Sequence, residues 1–180
     1  TATNGCGSNT DVVRIVINAL PSVNAGVDQI ICSGAAVTLT ATSNETISWL
    51  GGVSDGVAFY PTSTTTYTAQ ATDANGCLNS DDIIVAVRPL PNTLITTTGS
   101  TTICAGGSVT MLATIAPVGS TYTFQWNDVN GPISGATSNS YTASTSGDYT
   151  VTITDNNGCS ASYNAGSITY QSGCTGYSVE

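Results

Sequence analysis

The chain contains the same module twice, and this repeat constrains its fold more than any other feature. The first copy reads "AGVDQIICSGAAVTLTATSNETISW" and then "FYPTSTTTYTAQATDANGC". The second reads "STTICAGGSVTMLATIAPVGSTYTFQW" and then "TASTSGDYTVTITDNNGC". Six landmarks recur in the same order: Cys32/Cys104, Gly34/Gly106, Val37/Val109, Trp49/Trp126, Tyr67/Tyr149 and Cys77/Cys159. Landmarks that recur in the same order indicate a tandem array in which each copy is one structural unit.

Each module is predicted to consist of short β-strands. Val37, Leu39 and Ala41 alternate with threonines, which predicts a strand with one buried and one solvated face. The stretches "DANG" and "DNNG" predict hairpin turns, because Asn and Gly tolerate positive φ. Short strands with turns at this spacing predict an all-β fold built from β-sandwiches. The residues predicted for the two cores are Trp49, Trp126, Tyr67 and Tyr149.

The repeat also predicts the domain boundaries. Residues 1–21 match residues 71–91, so we interpret them as the C-terminal strands of a preceding repeat. The complete repeats are residues 22–91 and 92–171. Residues 172–180, which contain "CTGYSVE", are interpreted as the start of a following repeat or a C-terminal extension.

Composition argues against several classes of function. Two basic residues stand against eleven acidic ones, giving a formal net charge of -9, and histidine is absent. Neutralising nucleic-acid phosphates requires many Lys or Arg side chains, so we expect no nucleic-acid partner. No apolar run approaches the ~20 residues of a membrane helix, so we expect no membrane insertion. Without His or Lys the commonest general bases and Schiff-base residues are missing, which predicts that the chain is not an enzyme.

The only adjacent acid pair is a poor candidate for glycosidase chemistry. Asp81 and Asp82 are consecutive, so on a strand their side chains point to opposite faces. Two carboxylates that flank a glycosidic bond must face the same substrate. We therefore expect this pair to lie on a solvated strand edge.

The modules resemble the tandem immunoglobulin-like and PKD-like repeats of giant Bacteroidota cell-surface adhesins. That family includes gliding-motility adhesins and other cargo of the type IX secretion system. The resemblance rests on "AGVDQIICSGAAVTLTA", the tryptophan that follows, "TTTYT" and "TDANGC", and it spans nearly the whole chain. It implies tandem immunoglobulin-like antiparallel β-sandwiches of seven strands each, arranged end to end. It also implies a place at the extracellular cell surface, in an adhesive stalk or filament without catalysis. Neighbouring immunoglobulin-like repeats are then the implied partners, and the low charge of the sandwich edges adds filament self-association as a hypothesis.

The cysteines are predicted to form disulfides, because an acidic chain without C-x-x-C pairs or histidine does not suit zinc. In the expected sandwich Cys32 and Cys77 lie at opposite ends, more than ~20 Å apart. A disulfide needs Cα atoms within ~7 Å. We therefore favour a Cys32–Cys159 bond between repeats, with Cys32–Cys77 and Cys104–Cys159 within repeats as the rival. The cysteines then expected to bond to neighbouring repeats are Cys6, Cys77, Cys104 and Cys174. For Cys174 the alternative is that it closes the second repeat.

Two ligand hypotheses remain. Asp73, Asn75, Asp155 and Asn157 place oxygen atoms at turns and are weak calcium candidates, although turn formation explains them better. No other cofactor is expected. The tyrosines considered for exposed contacts, for example to surface glycans, are Tyr60, Tyr122, Tyr141, Tyr163, Tyr170 and Tyr177. They keep open an alternative function, the accessory carbohydrate-binding module of a secreted polysaccharide-degrading enzyme.

Overall fold

The chain folds into two compact units, Thr1–Val87 and Arg88–Glu180. The computed structural model describes residues 2–115 and 121–174. Within these ranges every regular element is a β-strand, which confirms the predicted all-β class. In the same ranges no helix is long and apolar enough to span a membrane.

The first unit is a two-layered sandwich preceded by a small hairpin. Its strands are β1 (Ala2–Asn4), β2 (Gly7–Asn9), β3 (Val23–Asn24), β4 (Gln29–Cys32), β5 (Val37–Thr38), β6 (Thr42–Ser43), β7 (Thr46–Leu50), β8 (Ala58–Phe59), β9 (Thr65–Thr72) and β10 (Leu78–Arg88). One layer has the order β4-β10-β9-β7, and the other consists of the pairs β3-β6 and β5-β8. Strands β1 and β2 pair only with each other.

The second unit repeats this architecture with longer strands. Its strands are β11 (Thr93–Thr98), β12 (Thr102–Ile103), β13 (Val109–Ile115), β14 (Tyr122–Asp128), β15 (Gly131–Pro132), β16 (Ser140–Ala143), β17 (Gly147–Asp155) and β18 (Ser160–Tyr170). The layers have the orders β11-β13-β16 and β12-β18-β17-β14-β15. Apart from β12, which runs parallel to β18, the paired strands of these layers are antiparallel, and two such layers around one core form an immunoglobulin-like sandwich.

The two cores differ in how they bury the repeated tryptophan. Trp126 is fully buried among Met111, Val151 and Ile153. Trp49, which we expected in the core, lies at its edge and is only half-buried. Its indole Nε1 donates at 2.9 Å to the carboxylate of Asp55, a residue on the surface of the unit. Tyr67 and Tyr149, also predicted for the cores, are buried in their respective units.

A surface loop replaces part of a strand pairing in the first unit. The strand expected over Val37, Leu39 and Ala41 is divided into two short strands, β5 and β6, with an irregular segment between them. Leu39 lies in this irregular segment and is fully buried. The Leu39 carbonyl accepts a hydrogen bond from Gly56 at 2.8 Å, and the Ala41 amide donates to Asp55 Oδ1 at 2.8 Å. Buried backbone groups are thereby satisfied without a regular ladder. In the second unit β13 is continuous and pairs with both β11 and β16.

Candidate functional site

The ends of the sandwiches, where the cysteines lie, are the candidate functional site. We call the end where the chain enters a sandwich its leading end, and the end where the chain leaves it the trailing end. Asn79, at the start of β10, donates from Nδ2 to the Pro21 carbonyl at 2.9 Å. Tyr163, near the start of β18, donates its hydroxyl hydrogen to the Pro91 carbonyl. Pro21 and Pro91 directly precede their sandwiches, so the last strand of each sandwich starts at the leading end and finishes at the trailing end.

A tight turn places Cys77 at the leading end of the first unit. Asp73 Oδ1 accepts hydrogen bonds from the amides of Asn75 at 2.9 Å and Cys77 at 2.7 Å. Gly76 has φ of 84°, a conformation that favours glycine, which explains the Asn-Gly pair. The hydrogen bond from the Cys77 amide is the main cause that lowers the pKa of the Asp73 carboxyl. The turn thus presents the cysteine and keeps the aspartate ionised.

The equivalent turn in the second unit has the same hydrogen bonds. Asp155 Oδ1 accepts from the amides of Asn157 at 2.8 Å and Cys159 at 2.9 Å. Desolvation raises the pKa of Asp155, but the hydrogen bonds from Cys159 and Asn157 outweigh it, so the pKa is lowered overall. Cys159 is buried directly before β18, at the leading end.

The trailing end of the second unit is closed by a disulfide. Short strand β12 runs parallel to the end of β18, with Ile103 opposite Tyr170, so the next residue, Cys104, lies at the trailing end. Cys174 follows β18 and is bonded to Cys104, with Cα atoms 5.8 Å apart. The prediction that both cysteines bond to neighbouring repeats is therefore wrong, and Cys174 closes the second repeat. Parallel pairing of the strands brings together residues separated by 70 positions.

The rival pairing within repeats is also wrong. Cys159 precedes β18 and Cys104 lies beside its last residue, so the eleven residues of β18 separate them. At ~3.3 Å per residue this is about 36 Å, far beyond disulfide reach. In the first unit Cys32 ends β4, the neighbour of β10, whereas Cys77 precedes β10 and is a half-buried free thiol. The favoured Cys32–Cys159 bond stays a prediction, as do bonds from Cys6 and Cys77 to a neighbouring repeat.

The first unit has no counterpart of Cys174. Where that cysteine follows β18 in the second unit, the chain after β10 reads Pro-Leu-Pro-Asn. The first unit therefore has no cysteine directly after β10 that could bond to Cys32 in the way that Cys174 bonds to Cys104.

The residues proposed for calcium serve the turns. Both oxygens of Asp73 accept hydrogen bonds, since Oδ2 accepts from Asn75 Nδ2 at 3.2 Å. Across residues 2–115 and 121–174, no three His, Cys, Asp or Glu side chains are grouped to hold a metal ion. Calcium binding by Asp73, Asn75, Asp155 or Asn157 stays an untested prediction.

The acid pair on β10 has separate structural roles. Asp81 Oδ2 accepts from the Ala25 amide at 2.8 Å, which ties the start of the sandwich to its last strand. Asp82 Oδ1 accepts from the Thr68 hydroxyl at 2.6 Å, across the ladder between β9 and β10. The two carboxylates thus bind different elements of the fold.

The tyrosines proposed for exposed contacts differ in their exposure, and glycan binding by them stays a prediction. Tyr60 in the first unit and Tyr170 in the second are exposed. Tyr122, Tyr141 and Tyr163 are partly buried against the second core, and the Tyr141 ring stacks on Trp126 at 5.9 Å between centroids. Tyr177 lies outside the described residues. Among these tyrosines in the described part of the chain, Tyr60 and Tyr170 are therefore the ones that expose a large share of their rings.

An open cleft of about 690 Å³ lies at one edge of the second unit. Apolar Leu112, Tyr122 and Phe124 line it together with polar residues 137–139. Its lining also includes Ile115 and Thr121, the residues on either side of segment 116–120, which the structure does not describe. We therefore assign no ligand to this cleft.

Comparison with known proteins gives structural likenesses only. No protein-family model and no curated protein matches the sequence. Extracellular domains 3–5 of Drosophila OTK are 13% identical, with 85% of this chain and 60% of that chain covered and a TM-score of 0.46. An I-band fragment of titin is 18% identical, with 86% and 66% covered and a TM-score of 0.44. The N-terminal eight immunoglobulin domains of the Down syndrome cell adhesion molecule are 14% identical, with 84% and 24% covered and a TM-score of 0.48. With TM-scores below 0.5, these likenesses carry no functional argument.

Proposed function

We propose that the chain is a structural and adhesive repeat segment of an extracellular bacterial surface stalk or filament, without a catalytic role. The observation that carries the proposal is that Cys32 and Cys159 lie at the two sandwich ends that residues 89–92 connect along the chain. The Cys104–Cys174 disulfide supports an oxidising, extracellular location. The bacterial surface origin rests on the resemblance of the repeat motif to Bacteroidota adhesins.

A disulfide between Cys32 and Cys159 is the proposed covalent link between the repeats. The segment that leads to Cys32 runs parallel to β10, because its residues Ala25 and Asp28 are hydrogen-bonded to Asp81 and Ile84 in the same order. Cys32 therefore lies at the trailing end of the first sandwich, whereas Cys159 lies at the leading end of the second. Residues 89–92 connect these two ends along the chain. To form the bond, the two thiols lose two protons and two electrons to a disulfide oxidant, which is reduced to two thiols. Tension applied along the chain is then carried by this bond as well as by the linker.

Single-molecule stretching of the 180-residue chain, held by its two termini, tests the proposal. The Cys32–Cys159 bond removes about 127 residues from the path that tension follows. Reduction should therefore lengthen the fully extended chain by roughly 440 Å, at ~3.5 Å per residue. If only Cys104–Cys174 is present, its separation of 70 residues predicts a gain of about 245 Å.

A Cys32→Ser variant is the matched control, because it removes the proposed bond and leaves Cys104–Cys174 intact. We expect its gain on reduction to fall to the smaller value. Peptide mapping without reduction gives a second readout, in which one peptide pair should contain Cys32 and Cys159. A wild-type gain of about 245 Å, or a mapped bond from Cys32 to another cysteine, would overturn the proposed link.

A further inference from the structure

Residues 11–20 have the sequence of a buried strand but lie on the surface. The segment is rich in Val and Ile, and all of its residues are exposed. Its exposed large apolar side chains are Val12, Val13, Ile15, Val16, Ile17 and Leu20. A cluster of exposed large apolar side chains within ten residues is typical of a site of interaction with another protein segment.

The same pattern is buried elsewhere in this chain. Aligned on "DVVRIVINALP" and "DDIIVAVRPLP", Val13 corresponds to Ile83 and Ile15 to Val85 on β10. Ile83 is 1% exposed and Val85 is 0% exposed, whereas Val13 is 81% and Ile15 82% exposed. Side chains with the core-facing pattern of a last strand therefore lack a core to face.

Strand β10 shows what such a segment needs as a partner. It lies between β4 and β9, and its Asp81 accepts a hydrogen bond from the Ala25 amide at the start of the sandwich. Asp11 has the position of Asp81 in the aligned segment. The complementary partner is therefore an immunoglobulin-like sandwich that lacks its last strand. A second copy of this chain does not offer that vacancy, because its sandwiches already contain β10 and β18.

A second observation, at the leading end of the first sandwich, points to the same partner. Cys77 is a half-buried free thiol at this end, close to Asn79 and its hydrogen bond to Pro21. It occupies the position that Cys159 has in the second sandwich. A repeat directly ahead of the first sandwich would bring its own counterpart of Cys32 to this end.

We propose that residues 11–20 are the last strand of a third immunoglobulin-like sandwich, whose other strands come from a repeat directly ahead of residue 1 in the same polypeptide. The counterpart of Cys32 in that repeat forms a disulfide with Cys77. The two thiols give two protons and two electrons to a disulfide oxidant such as oxidised glutathione. The disulfide part rests on the link between repeats proposed above, whereas the strand part does not.

The test extends the 180-residue chain with a copy of residues 22–71 fused ahead of Thr1, which supplies every strand except the last. Hydrogen–deuterium exchange is then compared with that of the unextended chain. We expect exchange within residues 11–20 to slow by about 100-fold or more, because the segment joins a cooperative sandwich. After oxidation with oxidised glutathione, peptide mapping should join Cys77 to the cysteine copied from position 32.

Two matched substitutions distinguish docking of residues 11–20 as a strand from nonspecific contact of this segment with the fused residues. Val13→Asp in the extended chain should restore fast exchange, because Val13 has the core position of Ile83. Val12→Asp should keep exchange slow, because Val12 has the position of the exposed Asp82. Exchange in β18 should be the same in all variants. Equal effects of the two substitutions would overturn the proposal.

A second variant does not depend on the fused copy. In the 180-residue chain, residues 81–91 are replaced by a copy of residues 11–21. The first unit should stay folded, as measured by the fluorescence of Trp49.

Unfolding of the first unit in this variant would overturn the strand assignment, and so would unchanged fast exchange of residues 11–20 in the extended chain. Concentration-dependent slowing in the unextended chain would also overturn it, in favour of a second copy. Slow exchange with Cys77 still free would refute only the disulfide.

Discussion

Removing the Cys104–Cys174 disulfide should destabilise the second unit and leave the first unchanged. The perturbation is the double variant Cys104→Ala, Cys174→Ala. Cys104 is half-buried and Cys174 is exposed, so the substitutions remove little buried surface. The effect is therefore dominated by the unfolded chain, which gains conformational freedom when the cross-link is lost.

The magnitude follows from the length of the closed loop. The bond joins residues with a sequence separation of 70. The chain-entropy relation for a loop of this length gives about 4 kcal/mol at 25 °C, at the upper end of the usual range. This is a large share of the ~5–15 kcal/mol that stabilises a typical domain. With a slope of ~1.3 kcal/mol per molar urea, the unfolding midpoint should fall by about 3 M.

Tryptophan fluorescence can follow the second unit alone, because each unit contains one tryptophan. In a Trp49→Phe background the emission comes only from Trp126, which is fully buried and changes environment on unfolding. Cys77→Ala in the same background is the matched control, since it removes a free thiol from the other unit. A midpoint shift below about 0.5 M for the double variant, or an equal shift for the control, would refute the reasoning.

Three further predictions concern single side chains. The Tyr149 hydroxyl lies 2.8 Å from the Thr145 hydroxyl and 3.1 Å from the Thr145 carbonyl. Tyr149→Phe should therefore lower the free energy of unfolding of the second unit by about 1 kcal/mol, as measured by urea titration. An unchanged free energy of unfolding would contradict a stabilising role of these hydrogen bonds. The pKa of Asp55 is lowered mainly by a hydrogen bond from the Ala41 amide and, to a smaller extent, by one from Trp49 Nε1. The ionised carboxylate therefore stabilises the first unit, and this stabilisation should be lost as the pH falls below about 4. Trp49 emission during acid unfolding should show a weaker pH dependence for Asp55→Asn, and an unchanged dependence would assign the effect to other carboxylates. Both Asp73 carboxylate oxygens already accept hydrogen bonds within the turn, so titration calorimetry with calcium should give no binding heat. Saturable heat that disappears in the Asp73→Asn variant would show instead that this turn binds calcium.

Local sequence determined the class of fold, because the signals involved act over a few residues. Alternating Val37, Leu39 and Ala41 predicted a strand with a buried face, and all three are buried. The Asn-Gly pairs predicted the turns before β10 and β18, since Gly76 and Gly158 adopt positive φ. The interruption of the strand near Leu39 was not predictable in this way. It depends on Asp55 and Gly56, which return to that strand only in the folded unit.

The cysteines show where sequence reasoning ends. Spacing alone left Cys174 either opening a new repeat or closing the second, and it did not reveal the bond to Cys104. The choice is made by the parallel pairing of β12 with the end of β18, which brings Cys104 and Cys174 to one end of the sandwich. Disulfides form between residues that are close in space, and only the tertiary structure places residues 70 positions apart within reach. The repeat thus predicted the module, and the packing of its strands decided the chemistry at its ends.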